Sequence, residues 1–304
     1  MLLAFLALPV ATILVHFDAP AQERTVDPDA FSLDDWPLEG AAARGQVVFE
    51  NYCIGCHGPT GEGNGPAAEY LNPQPRNFQR GGFKFRSTPY GATPTRADLL
   101  RTITCGLPGS SMPGFPLVSE PQRQDVVEYV LYLYSFGRAV REVTFYREDE
   151  GLSMDDLRGD RLAVIRAEVL AGMRQDAQPV AISDMPDLDA AATVRGKALF
   201  LKQCASCHGD TGIGDGPSSN ALRDWKDDVI VPRDFTPGVY RSGSTPRDLF
   251  LRLKTGITGT PMPATSGTDQ DLWDLVAYIR SIEDPNAPLP KHIRAGCGAK
   301  GGPK

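Results

Sequence analysis

A chain of 304 residues with 31 basic and 38 acidic side chains has room for two domains, and its net charge of −7 argues against nucleic-acid binding, which calls for a basic face. Hydrophobic residues make up 41%, which excludes disorder throughout, while 31 glycines and 26 prolines assign much of the chain to loops and turns. Six cysteines are too few for a disulfide framework at this length, so their placement matters more than their number.

The first element is an apolar run, Leu2–Val15, ended by His16, Phe17 and Asp18. It has the length of an export signal's apolar region and falls short of the roughly 20 residues that a spanning helix needs. Ala19-Pro20-Ala21 offers a small-residue cleavage site, although no Lys or Arg precedes the run. Residues 1–21 therefore read as a cleaved signal peptide or as a short uncleaved anchor. Either sends the rest of the chain across a membrane, to the periplasmic side of a bacterial membrane, soluble or anchored by this segment.

Three helices are predicted next: Ala41–Tyr52, running into Cys53-Ile54-Gly55-Cys56-His57; Ala97–Cys105, stopped by Gly106; and Pro121–Phe136, with Val126, Val127, Val130, Leu131 and Leu133 at helical spacing and Gly137 as its cap. Residues 138–189 form a charged, irregular spacer with one helix near Asp155–Gln175. Within it, Glu142–Tyr146 and Pro179–Ile182 are candidates for a short strand pair. Three more helices follow, Ala190–Gln203, Pro246–Thr255 and Asp269–Ile282, and residues 285–304 read as a flexible tail.

The chain repeats itself once. Cys204-Ala205-Ser206-Cys207-His208 restates Cys53–His57 at an offset of 151 residues, preceded by Arg195-Gly196 and Phe200 as the first copy is by Arg44-Gly45 and Phe49. Downstream, His57–Pro66 matches His208–Pro217, Pro75-Arg76-Asn77-Phe78 matches Pro232-Arg233-Asp234-Phe235, and the stretch ending Met112-Pro113 matches that ending Met262-Pro263. Landmarks in the same order mark a tandem duplication.

Two thiols three residues apart add to the two vinyl groups of a haem, and the adjacent histidine then lies under the iron, so C-x-x-C-H reads as c-type haem attachment. Zinc would need a second Cys/His pair per copy, and a redox thiol pair would need a βαβ context; neither is in the sequence. Two copies imply two covalently bound haems. The histidines are His16, His57, His208 and His292; with His16 in the leader and His292 in the tail, counting argues against a second histidine at both irons. Of the methionines, only Met112 and Met262 occupy matching places, 55 residues after His57 and 54 after His208. They are candidate sixth ligands, with core filling as the structural alternative. Met185-Pro186 has no counterpart in the first copy. Arg76 and Arg233 recur at one place and are candidates for haem propionates or plain turn residues. Cys105 aligns with Thr255 and reads as a small buried apolar side chain; a disulfide to Cys297 is the alternative.

Each copy resembles a class I cytochrome c domain, and Gly40–Asp284 resembles tandem dihaem c-type cytochromes found with respiratory electron-transfer complexes. The resemblance implies an all-α fold, with two tandem class I cytochrome c domains (38–137 and 190–284) joined by the irregular spacer. It implies thioethers from Cys53, Cys56, Cys204 and Cys207, proximal ligands His57 and His208, and distal ligands Met112 and Met262. It further implies that the carbonyls of Pro66 and Pro217 accept the proximal imidazole N–H, and that Gly45 and Gly196 allow close crossing by the last helix near Tyr129 and Tyr278. The expected function is single-electron transfer between a membrane-associated donor complex and a terminal acceptor, by an electron-transfer protein rather than an enzyme, possessing redox protein partners. The enzyme alternative is a dihaem peroxidase, which needs an open iron position; a haem-containing sensor or structural subunit is a third class. Insertions Asn72–Pro94 and Trp225–Ser244 depart from the family pattern.

Overall fold

The computed structural model describes residues 32–284 and 286–287. Expectations for residues 1–21, His16, His292, Cys297 and most of the tail lie outside these residues.

Nine α-helices form among the described residues: α1 (Gly40–Tyr52), α2 (Ile54–His57), α3 (Arg96–Cys105), α4 (Glu120–Glu148), α5 (Asp160–Asp176), α6 (Ala190–Gln203), α7 (Ala205–His208), α8 (Pro246–Thr255) and α9 (Asp269–Ser281). No strand forms among them. Local chemistry sets several boundaries. α3, α8 and α9 each begin with Thr-x-x-Asp, the Thr side chain accepting from the Asp backbone N–H while the Asp carboxylate accepts from the Thr backbone N–H. α3 and α8 end at Gly106 and Gly256, whose φ of 68° and 62° suits a residue without a Cβ.

In each copy the first helix crosses the last at a glycine. A Cβ on Gly45 would overlap the Asp125 carbonyl oxygen, and one on Gly196 that of Asp274. Bidentate pairs flank the crossings: Arg44 to Asp125 at 2.9 and 2.7 Å, and Arg195 to Asp274 at 2.6 and 2.8 Å. Below them Phe49 meets Tyr129 and Phe200 meets Tyr278, with ring centroids 5.1 and 5.0 Å apart.

The spacer is more helical than its composition suggests. α4 does not stop at Phe136; it continues twelve residues further, to Glu148, because Ala139, Val140 and Val143 extend its buried face. Gly137 is consequently an interior helix residue and not a cap. A Cβ there would overlap the Gln79 carbonyl, so the glycine serves a close backbone approach. The candidate strand Glu142–Tyr146 lies in this helix, and the Pro179–Ile182 segment is irregular, with Val180 N–H donating to Ser87 O at 2.8 Å. α5 begins at Asp160 and packs Ile165, Val169 and Met173 into a core shared with Trp36, Val140 and Val143.

The first insertion packs against α8 of the second copy. Arg86, only 1% exposed, donates to Pro89 O and Phe83 O of its own copy and to Thr255 O of the other. Arg252 donates back to Lys84 O at 2.9 Å and Arg86 O at 2.7 Å. Arg101 pairs with Asp248 at 2.6 Å and Lys84 with Asp224 at 3.6 Å.

Candidate functional site

The site in each copy begins where its first helix ends. Cys53 N–H donates to Phe49 O, and the Cys53 carbonyl accepts from Cys56 N and His57 N, closing the single turn α2. That turn places Cys53, Cys56 and His57 on adjacent faces. Cys204, Cys207 and His208 repeat the arrangement in α7, with Cys204 N donating to Phe200 O and His208 N to Cys204 O. All four thiols are free. Burial pushes the Cys53 thiol up to about 12 and Cys204 to about 11, so both are protonated at neutral pH.

Each imidazole is oriented by a backbone carbonyl. His57 Nδ1 lies 3.0 Å from Arg76 O, and His208 Nδ1 lies 3.2 Å from Arg233 O. His57 stacks on Phe78 and His208 on Phe235, with centroids 4.4 and 4.5 Å apart. Burial lowers both imidazoles below the usual histidine range. A neutral ring donating from Nδ1 keeps the Nε2 lone pair for a metal.

These contacts correct the expectation for Pro66 and Pro217. The Gly-Pro turns lie against the Cys turns: Gly65 N donates to Cys56 O and Ala67 N to Gly55 O, while Gly216 N donates to Cys207 O and Ser218 N to Ser206 O. The Pro-Arg-x-Phe segments take the imidazole instead, because Phe78 N donates to Gly61 O at 2.7 Å and Phe235 N to Gly212 O at 2.9 Å. Close packing secures the placement, since a Cβ on Gly63 would sit 2.6 Å from Pro75 O and one on Gly214 2.6 Å from Pro232 O. The signal in the sequence was the recurrence of Pro-Arg-x-Phe behind Gly-x-Gly, which sequence reasoning read only through the arginine side chains.

Met112 and Met262 end two loops of one design. Leu107 N donates to Met112 O, Ser110 N to Leu107 O and Met112 N to Ser110 Oγ; Ile257, Thr260 and Met262 repeat these bonds. Both methionines are half-buried, and Met262 packs on the same core as Cys204. The other described methionines are placed differently. Met173 is buried in the first copy's core and Met154 packs against that core, while Met185 is 57% exposed.

Arg76 and Arg233 extend their side chains into the contact between the copies. The Arg76 guanidinium lies 5.5 Å from the Trp225 ring, and Arg233 Nη2 donates to Pro108 O at 3.4 Å. Burial lowers Arg76, Arg241 and Arg252 to about 10, and Nε of Arg241 and of Arg252 is buried without a hydrogen-bond partner. Cys105 is disulfide-bonded and so is not the free buried thiol expected of it.

The donor set fits a c-type haem in each copy: two thiols, an imidazole with a free Nε2, and a thioether on an ordered loop. Among the described residues no group of three or more His, Cys, Asp and Glu side chains is arranged to hold a bare metal ion.

The cytochrome c family model matches this chain twice, over residues 42–133 and 193–283. A chain of the solved reducing HAO-like protein complex of Kuenenia stuttgartiensis is similar, with 34% identity and a TM-score of 0.63, covering 79% of this chain and 96% of that one. No curated protein matches.

Proposed function

Because the chain belongs to the cytochrome c family, we propose that it passes single electrons between a membrane-associated donor complex and a terminal acceptor. Haem-based electron transfer and two covalently bound haems follow from the two matched domains. The units that hold them are assigned to residues 38–137 and 190–284. The similar chain sits in a reducing HAO-like protein complex, which supports a redox protein, or a larger redox assembly, as the partner here. The apolar run Leu2–Val15 supports a place on the periplasmic side of a membrane. No helix among the described residues is long and apolar enough to cross one.

The observation that carries the reading is the duplicated orienting contact, His57 to Arg76 and His208 to Arg233. Bound haem supplies an iron that changes by one electron. The chain's own residues supply the rest. Cys53, Cys56, Cys204 and Cys207 would hold the haems covalently. The Arg76 and Arg233 carbonyls hold each imidazole in one tautomer, which raises its basicity as a ligand. Met112 and Met262 would supply the second protein ligand of each haem iron, an arrangement that favours electron transfer over peroxide chemistry.

Two measurements check this. Acid–acetone extraction should leave all haem on the polypeptide, and the pyridine haemochrome ratio should be two per chain; a ratio near one would remove the second site. Carbon monoxide should bind the reduced protein slowly and incompletely at neutral pH, as expected of six-coordinate irons. Rapid stoichiometric binding at one haem, with hydrogen peroxide turnover, would favour the enzyme reading.

A further inference from the structure

The residue whose carbonyl orients each imidazole also reaches toward the methionine loop of the opposite copy. Arg233 O accepts from His208 Nδ1, while Arg233 Nη2 donates to Pro108 O. Pro108 lies four residues before Met112, in the loop closed by the Leu107–Met112 hydrogen bond. The fit is close: a Cβ on Gly109 would sit 2.9 Å from Arg233 Nη2. Arg241 supports the same place, its Nη2 donating to Gly109 O at 3.1 Å.

The reverse path has the same order and softer chemistry. Arg76 O faces His57 Nδ1, and its guanidinium lies over the Trp225 ring. Trp225 N donates to Gly259 O, three residues before Met262, and a Cβ on Gly259 would sit 2.6 Å from Trp225 Cδ1. Neutral groups of the first copy complete the contact: Gly91 N donates to Thr258 Oγ1 and Tyr90 OH accepts from Gly259 N.

We propose that Arg233 and Arg76 are positioning residues that tie the proximal side of one haem site to the distal loop of the other, with Arg233 the stronger link. The proposal rests on Met112 and Met262 being iron ligands. A planar guanidinium that donates to a carbonyl holds that peptide in register, and here the peptide belongs to the loop presenting the thioether. Loss of the Arg233 fork should therefore loosen the first haem's ligand, although Arg233 stands beside the second haem's histidine. A guanidinium bound to its own haem's propionate would act on the second haem instead.

The test uses the full haem-loaded chain carrying Met262→His, so that the weak far-red methionine–iron band reports the first haem alone. Arg233→Gln keeps the backbone carbonyl on His208 and removes the fork. Expected are a loss of far-red band intensity and a displaced midpoint potential at the first haem, with the second haem's midpoint unmoved. Arg233→Lys, which keeps the charge without the fork, should show the same displacement to a lesser degree and covers the case in which the Gln variant does not fold. Arg76→Gln, in a Met112→His background, should move the second haem less. An unchanged first haem together with a shifted second haem would overturn the proposal. If Met262→His leaves the far-red band at full intensity, the ligand reading has failed and the proposal falls with it, an outcome distinct from an unmoved first haem under an intact reading.

Discussion

Met112→His should lower the midpoint potential of the first haem and leave the second untouched, while Met262→His should do the reverse. A thioether is soft and weakly basic and favours ferrous iron, whereas imidazole favours ferric iron. Axial ligation spans about 0.8 V across haem proteins, so each shift should dominate its redox titration. The loops that carry the two methionines share one set of hydrogen bonds, so the exchange tests equivalent positions. Met→Leu at either place should abolish that haem's share of the far-red band. A Leu variant that kept both band and midpoint would move the ligand elsewhere. The remaining described methionines offer poor substitutes, since Met173 is buried in the core, Met154 packs against it, and Met185 is exposed.

Gly196→Ala should destabilise the second haem unit by about 3 kcal/mol or more, at or above the upper end of ordinary overpacking. The obstruction is the Asp274 carbonyl oxygen, a backbone atom of α9 that has no rotamer to move. The two helices would have to separate, opening the Phe200–Tyr278 contact and straining the Arg195–Asp274 pair. At that cost the thermal midpoint of the unit should fall by about 12 °C or more. Gly45→Ala should act the same way on the first unit, through Asp125. Gly172→Ala is the control: it lies in α5, and its Cβ would meet only Arg138 Nη2, at 3.4 Å. That substitution should be neutral or slightly stabilising. Thermal denaturation of the haem-loaded variants decides the matter, and a Gly196→Ala protein as stable as the parent would show that the crossing has slack.

The sequence by itself determined the duplication, the helical class, and the thiol, imidazole and thioether positions that match between copies. These are legible because each depends on local spacing: Cys-x-x-Cys-His fits one helical turn, apolar residues at helical spacing mark a helix, and Gly106 ends one. Tertiary structure alone decided three things. It gave the imidazole acceptor to Arg76 and Arg233 rather than Pro66 and Pro217, since that choice depends on which distant segment lies over the ring. It made Gly137 a crossing point inside α4 rather than a cap, since a glycine has the same local signature in both roles and only the Gln79 backbone distinguishes them. It also set the first insertion against α8 of the second copy. Buried Arg86 and Arg252 find carbonyl partners on the opposite copy, and no spacing along the chain encodes a contact between segments some 170 residues apart.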